Sequence, residues 1–392
     1  MRERVKSPII VALAVVAGLA SADPGETATA VNKGRSATAS SQPRLAFLCA
    51  GVEFAPPAGF QRRRSSDPYE VFAALRTEVP GRPAMACTLT VQAVQPQASV
   101  DDLVSLIRER MLAVKNLVTT DQESLSVAGS PAVRRKARYT YRGDQAEADM
   151  VFLMVTAPGE DRFKLAYVLT VETTPAGAAA LPAVRKEVLA SLKLTPPVSP
   201  MDLPLSLPAE PVAVTDLGAA ISVPEDWKVS VGPGTLQAFQ MDYTRGGAAY
   251  PRLTAVFMPA DPAMTADGYM DQAKAVAKKV FAGQALEVLE EGPAALAGAE
   301  GHQMVLRVKS EGRVLVCAQR CAVREGKCCT LALTGLTDDP AKVKAMLERF
   351  AETFVLLPSP ATAPATTAPA RPNDPAAQPA AAPAKDAPRS IR

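Results

Sequence analysis

The chain is built twice, and that constrains its fold more than any other feature. Val52-Glu53-Phe54-Ala55-Pro56-Pro57-Ala58-Gly59-Phe60 is echoed by Ala220-Ile221-Ser222-Val223-Pro224-Glu225-Asp226-Trp227. Each sets a short apolar strand before a proline, with an aromatic residue three positions beyond it. Pro57 and Pro224 stand 167 positions apart, and the landmarks that follow keep nearly that spacing. Ser99 precedes Asp101 and Asp102, with Val100, Leu103, Val104, Ile107, Met111 and Val114 on one helical face; Thr265 precedes Asp267, with Tyr269, Met270, Ala273, Val276 and Val280. Serine and threonine cap helices by accepting a free amide hydrogen bond, early acids suit the positive end of the dipole, and a 3.6-residue apolar period marks a helix packed on a flat surface.

Ala128-Gly129 and Ala297-Gly298 then open matching strands that end at Gly143 and Gly312, both pairs of glycines being 169 apart. Hairpins follow: Met150 to Thr156 with Phe163 to Val171, and Val314 to Val323 with Cys328 to Thr334. Closing helices repeat Leu181, Val184, Val188 and Leu192 as Val343, Met346, Phe350 and Phe354, each 162 positions on. Asp339-Pro340 has the form of a cap followed by an N1 proline.

Around the copies the composition changes. Arg2, Arg4 and Lys6, a short apolar run and Ala20-Ser21-Ala22 make 1–22 a secretory signal peptide; an N-terminal membrane anchor is the alternative. Residues 23–43 form a disordered spacer, 197–210 a Pro-rich linker and 358–392 a disordered Pro/Ala-rich tail. The domains are therefore 44–196 and 211–357. The first holds 19 basic and 16 acidic residues, the second 15 and 17, a balance that excludes a nucleic-acid footprint.

With the Pro-x-x-aromatic segment, capped helix, glycine-led strand, hairpin and closing helix in that order, each copy resembles the PsbP/DcrB-like superfamily. The second copy carries Val223-Pro224-Glu225-Asp226-Trp227; the first has Pro56-Pro57-Ala58-Gly59-Phe60 in its place. The resemblance implies an α+β fold of two tandem α/β/α sandwich domains, each an antiparallel sheet flanked by helices. It brings no catalytic or cofactor-binding residues, and its members bind or assemble other proteins.

The residues themselves offer little chemistry. His302 is the sole histidine, no G-x-S-x-G elbow accompanies it, and a surface or edge position is expected. An even count of six cysteines in an oxidising compartment favours disulfides. Cys49 and Cys87 are the only two of the first copy. In the second, a turn centred on Glu325 sets Cys321 opposite Cys329. A metal site is disfavoured because Cys328 and Cys329 are adjacent in a strand and point to opposite faces. Trp227 is expected to cover one end of the sheet, as Phe60 does in the first copy. Arg134, Lys136 and Arg138 share a strand face and are the candidate partner-binding residues; Arg62-Arg63-Arg64 is a second basic cluster. Acid pairs at Asp101-Asp102, Glu290-Glu291 and Asp338-Asp339 are expected at helix starts or turns.

These observations lead to the expectation of a non-catalytic secreted or periplasmic scaffold without cofactor or metal. Its partner is an unknown envelope or extracellular protein, with no nucleic acid and no stable membrane insertion after signal cleavage. A carrier of a small apolar ligand, or a hydrolase using acids at the domain interface, is the alternative.

Overall fold

The structure is a computed structural model. It describes residues 43–357, apart from 66, 78–83, 111–113, 142, 157–161, 209–210, 215–217, 262, 311–312 and 325. The signal peptide, nearly all of the spacer and the tail lie outside the described residues.

The first copy runs β1 (Leu45–Phe47), β2 (Val52–Phe54), β3 (Gln61–Arg62), β4 (Glu70–Arg76), β5 (Met85–Val94), α1 (Val100–Arg110), β6 (Val114–Val127), β7 (Ser130–Tyr141), β8 (Asp144–Thr156), β9 (Lys164–Thr173), α2 (Leu181–Ser191) and β10 (Lys193–Leu194). The second runs β11 (Val212–Val214), β12 (Ala219–Ile221), β13 (Lys228–Gly232), β14 (Thr235–Asp242), β15 (Ala248–Pro259), α3 (Ala266–Val280), β16 (Ala285–Leu296), β17 (Ala299–Ser310), β18 (Arg313–Arg324), β19 (Lys327–Leu336), α4 (Pro340–Thr353) and β20 (Val355–Leu356).

The duplication is exact in topology. Each copy has a three-stranded antiparallel sheet, β1-β2-β10 or β11-β12-β20. Each also has a seven-stranded antiparallel sheet, ordered β3-β4-β5-β9-β8-β7-β6 or β13-β14-β15-β19-β18-β17-β16. Helices lie on both faces of each large sheet, so the molecule is a tandem α/β/α sandwich. Alternation along the strands sorts the core by face. On β8, Val151 and Leu153 pack with Val184 and Val188 of α2, while Met150 and Phe152 pack with Leu103 and Val104 of α1. In the second copy Val305 and Val316 pack with Val343 and Phe350 of α4, and Met304 and Leu306 with Tyr269 and Met270 of α3.

Local chemistry explains the element ends. Ser99 and Asp102 form a reciprocal capping box: the Asp102 N–H donates to Ser99 Oγ at 3.2 Å and the Ser99 N–H to Asp102 Oδ2 at 2.8 Å. Thr265 accepts from the Gly268 N–H and Asp339 from the Ala341 N–H, at 3.1 and 3.0 Å. The β6–β7 and β16–β17 hairpins turn on Ala128-Gly129 and Ala297-Gly298, all four at positive φ. A two-residue turn with both φ positive matches the twist of the strands it joins.

Three expectations change. The first helix ends at Arg110, and Val114 opens strand β6 rather than extending the helical face. On α3 the buried stripe is Tyr269, Met270, Ala273 and Ala277, leaving Val280 43% exposed. Glu290-Glu291 lies within β16, where Glu290 pairs with Lys344 and Glu291 with Lys274, each at 2.6 Å. No described helix is long and apolar enough to cross a membrane.

Candidate functional site

The expected cysteine bridges are absent: Cys49, Cys87, Cys317, Cys321, Cys328 and Cys329 are all free thiols. The β18–β19 turn closes between Arg324 and Lys327, so Cys321 faces Thr330, and Cys329 faces Ala322. That is one residue away from a turn centred on Glu325, and a one-residue slip sends a side chain to the other face. Cys321 and Cys328 therefore lie in the core under α3, and Cys329 in the core under α4. Cys87 is sealed in the first core and Cys49 borders the second copy. Burial pushes the Cys49, Cys87, Cys321 and Cys328 thiols up to about 12 and Cys329 to about 11, which keeps them protonated and unreactive.

The other sequence candidates hold the lobes together internally. Arg134 makes a two-pronged pair with the buried Asp149, through Nε at 2.7 Å and a terminal nitrogen at 3.0 Å, and reaches Glu123 at 2.8 Å. Arg185 of α2 lies 3.4 Å from the same aspartate. Lys136 pairs with Asp121 at 2.6 Å and Arg138 with Glu147 at 3.1 Å. These two side chains remain largely exposed. His302 sits within β17, its Nδ1 2.6 Å from Asp267 Oδ1 at the start of α3, and its Nε2 3.7 Å from Glu291. Among the described residues no hydroxyl or thiol hydrogen-bonds its Nε2, so no nucleophile–base pair forms there. No group of three or more His, Cys, Asp or Glu side chains among the described residues could hold a metal ion.

What the sequence left unmarked is the seam between the copies. Tyr243 follows β14 of the second copy, yet its ring is buried in the first copy's core and its hydroxyl donates to Val91 O at 3.0 Å. Met241 enters the same core. The turn after Tyr243 carries Gly246 and Gly247, both at φ 72, which brings main chain against Phe163 and Ala93; a Cβ on Gly247 would lie 3.7 Å from Ala93. Asp242 fixes this corner by accepting from the Thr244 N–H at 3.0 Å and the Ser199 hydroxyl at 2.9 Å. The Arg62-Arg63-Arg64 cluster also lies at the seam. Arg62 is 3.9 Å from Glu225, Arg63 is 3.5 Å from Glu70, and Arg64 donates to Pro224 O at 3.4 Å.

A cleft of about 120 Å³ opens on this seam. Phe47, Leu48, Val71, Leu203 and Met241 give it an apolar wall; Asp226, Lys228, Gln240 and Cys49 supply polar groups. Its two charged groups flank Trp227, the last residue of the Val-Pro-Glu-Asp-Trp segment. Trp227 is buried, packed edge-on against Phe350 at 5.2 Å, and anchors the segment to the second core. Its neighbours Asp226 and Lys228 both line the cleft. Lys228 Nζ donates across the seam to Glu70 O and to Ser65 O, the latter at 3.4 Å. Burial pushes this ammonium down to about 8, against the pull of Glu70 and Asp67. Asp226 has surface at the mouth, but the protein packed around it still pushes its carboxyl up, with Arg62 and Lys228 opposing. Glu70 and Asp242 are likewise pushed up by burial. A cleft with several titratable groups displaced by desolvation is where a functional site is expected. The sequence signal for it was the difference between the copies: Gly59 and Gln61 stand where the second has Asp226 and Lys228.

No protein-family model matches the chain, and no curated protein matches it in sequence. Solved structures similar to it include LpqN of Mycobacterium tuberculosis, described as involved in cell envelope biogenesis. That likeness has 9% identity and a TM-score of 0.30 over 37% of this chain and 83% of that one. The cyanobacterial PsbP of Synechocystis is 15% identical over 40% of this chain and 95% of its own, with a TM-score of 0.32. The immunity protein TplEi of Pseudomonas aeruginosa is 8% identical over 77% of this chain and 98% of its own, with a TM-score of 0.25. Likenesses this slight decide neither family nor function, and the seam has to be read from its own residues.

Proposed function

We propose that the chain is a non-catalytic binding module, secreted or periplasmic, in which two sandwich lobes act as one rigid scaffold for a protein of the cell envelope. The seam carries this reading. Tyr243 and Met241 of one copy complete the core of the other, so both lobes present their surfaces in a fixed relation, with a cleft between them. A hydrolase at the interface would need two carboxylates facing one space, and among the described residues Asp226 is the only one lining the cleft. Glu70 is directed to Arg63, and Asp242 to Thr244 and Ser199. A carrier would need a cavity between sheet and helix, and those layers are filled by the buried side chains of the two sandwiches. Crosslinking in the intact envelope followed by mass spectrometry is expected to recover a reproducible protein partner attached near the seam. Recovery of none, in cells producing the full chain, overturns the module reading.

A further inference from the structure

We propose that the cleft binds an extended peptide segment of the partner. One aliphatic side chain would lie on the Phe47–Leu48–Leu203–Met241 wall, with its flanking peptide group between Asp226 and Lys228. This rests on the binding-module reading and names the chemistry recognised.

Three features select that occupant. The first is an unsatisfied donor. An ammonium has three N–H groups, and two of those on Lys228 are accounted for by Ser65 O and Glu70 O. The third is left for the cleft that Lys228 lines. The second is an open acceptor. The Asp226 carboxylate is exposed at the mouth, takes a hydrogen bond from its own backbone N–H and makes no ion pair among the described residues, so it has an oxygen free to accept from a ligand. The third is charge balance. A cation in the cleft meets the Lys228 ammonium, and an anion meets the Asp226 carboxylate. A neutral group that both donates and accepts satisfies Asp226 and Lys228 together, and the peptide unit is such a group. The apolar wall then sets what must flank it. Leu48 is 46% exposed at the lip, and about 120 Å³ gives room for one aliphatic side chain beside the peptide unit. Leu203 comes from the segment joining the copies and Leu48 from the first copy, so the pocket exists only when the seam is closed.

The test uses the full chain with its methionine methyls labelled with 13C, the Met241 signal being assigned by Met241→Leu. N-acetyl-leucine N-methylamide is titrated in, beside isoamylamine and 4-methylpentanoate, which keep the apolar stem but carry a positive or a negative charge. The expected result is a saturable Met241 shift with the methylamide in the millimolar range, and weaker binding of both charged probes. Asp226→Asn should weaken the methylamide about fivefold, because the amide oxygen that replaces the carboxylate accepts a weaker, neutral hydrogen bond. Its unchanged melting temperature would show that the lobe is intact. No saturable shift, tighter binding of either charged probe, or equal affinity in Asp226→Asn overturns the proposal. The envelope crosslinking, repeated with Asp226→Asn, separates the two readings. A partner captured equally by both chains leaves the module standing and removes the cleft as its site. A methylamide that binds at Met241 when neither chain captures a partner does the reverse.

Discussion

Tyr243 belongs to the second copy and is buried in the core of the first, whereas neither core of the second copy contains a described residue from the first. Met201, Leu205 and Leu207 join the second core, but they come from the connecting segment. The strand orders are the same and the dependence is one-sided. Each copy has about 150 residues, enough for a core of its own, so size does not impose the asymmetry. It comes from one corner, where Asp242, Tyr243 and the Gly246-Gly247 turn grew towards the neighbouring sheet. Duplication preserved the sandwich and lost independence on one side.

Separating the copies should break the comparison most sharply. Residues 197–357 alone are expected to melt cooperatively, while 44–196 alone should bind a hydrophobic dye and show no sharp transition. A cooperative melt of 44–196 would sink the one-sided dependence. Within the intact chain, Tyr243→Ala should cost about 3–5 kcal/mol, as for other large-to-small changes of buried aromatics. Tyr243→Phe, which loses only the bond to Val91 O, should cost about 1 kcal/mol. Hydrogen exchange read by mass spectrometry should place the loss from Tyr243→Ala in β5 and β9, on the far side of the seam from the mutation.

How far the chain declared this in advance depends on the kind of residue. Caps, turn glycines and the closing-helix stripes are local signals, and Ser99, Thr265, Gly129, Gly298 and Val343 to Phe354 lie where their spacing puts them. Strands β6 and β16 were illegible because they are sheet edges. Runs such as Thr119-Thr120-Asp121-Gln122-Glu123-Ser124 show no apolar alternation, and bulges break the register near Asn116, Asp121 and Leu289. Such bulges and charges also guard an edge against pairing with another chain. The cysteine pairing failed because one residue of hairpin register decides which face a side chain meets. The seam was hidden for a different reason. A tyrosine that serves a neighbouring domain looks, in sequence, like any strand-end aromatic residue. Only the departure of Asp226 and Lys228 from Gly59 and Gln61 hinted at it.

The polar interiors sharpen the comparison at a single site. Asp149 lies 169 positions before Ala318, and each faces the closing helix of its own copy. The first copy thus carries a charged knot of Asp149, Arg134 and Arg185 where the second has Ala318, Gln303 and Leu347. Removing Asp149 takes from Arg185 its ion-pair partner in the knot and leaves Arg134 with Glu123 alone. Asp149→Ala should cost about 3 kcal/mol, at the low end for a buried pair because Arg134 keeps Glu123. Chemical denaturation of the full chain measures it. A loss below ~1 kcal/mol, the level of an exposed pair, would show that the knot adds nothing over the uncharged arrangement of the second copy.

The smallest difference expected between the lobes is set by pH. A thiol with a folded pKa above its unfolded value contributes stability that is complete below the unfolded value of 9.0 and is lost as pH rises towards the folded value. All six thiols are of this kind, with folded values of about 11 to 12, and four of them belong to the second copy. At pH 9.5, below the ordinary range of tyrosine, each buried thiol has lost part of this contribution. The second lobe, with four thiols against two, should therefore lose more than the first. Lys228 works the other way. Its folded value lies near 8, below the unfolded 10.5, so its burial penalty is relieved as pH climbs through that window and the seam gains while the cores lose. Chemical denaturation of residues 197–357 alone, at pH 8 and 9.5, should show the loss from the second lobe's thiols directly. Unchanged stability at pH 9.5 would mean that the thiols of the second copy are not shielded in the folded lobe.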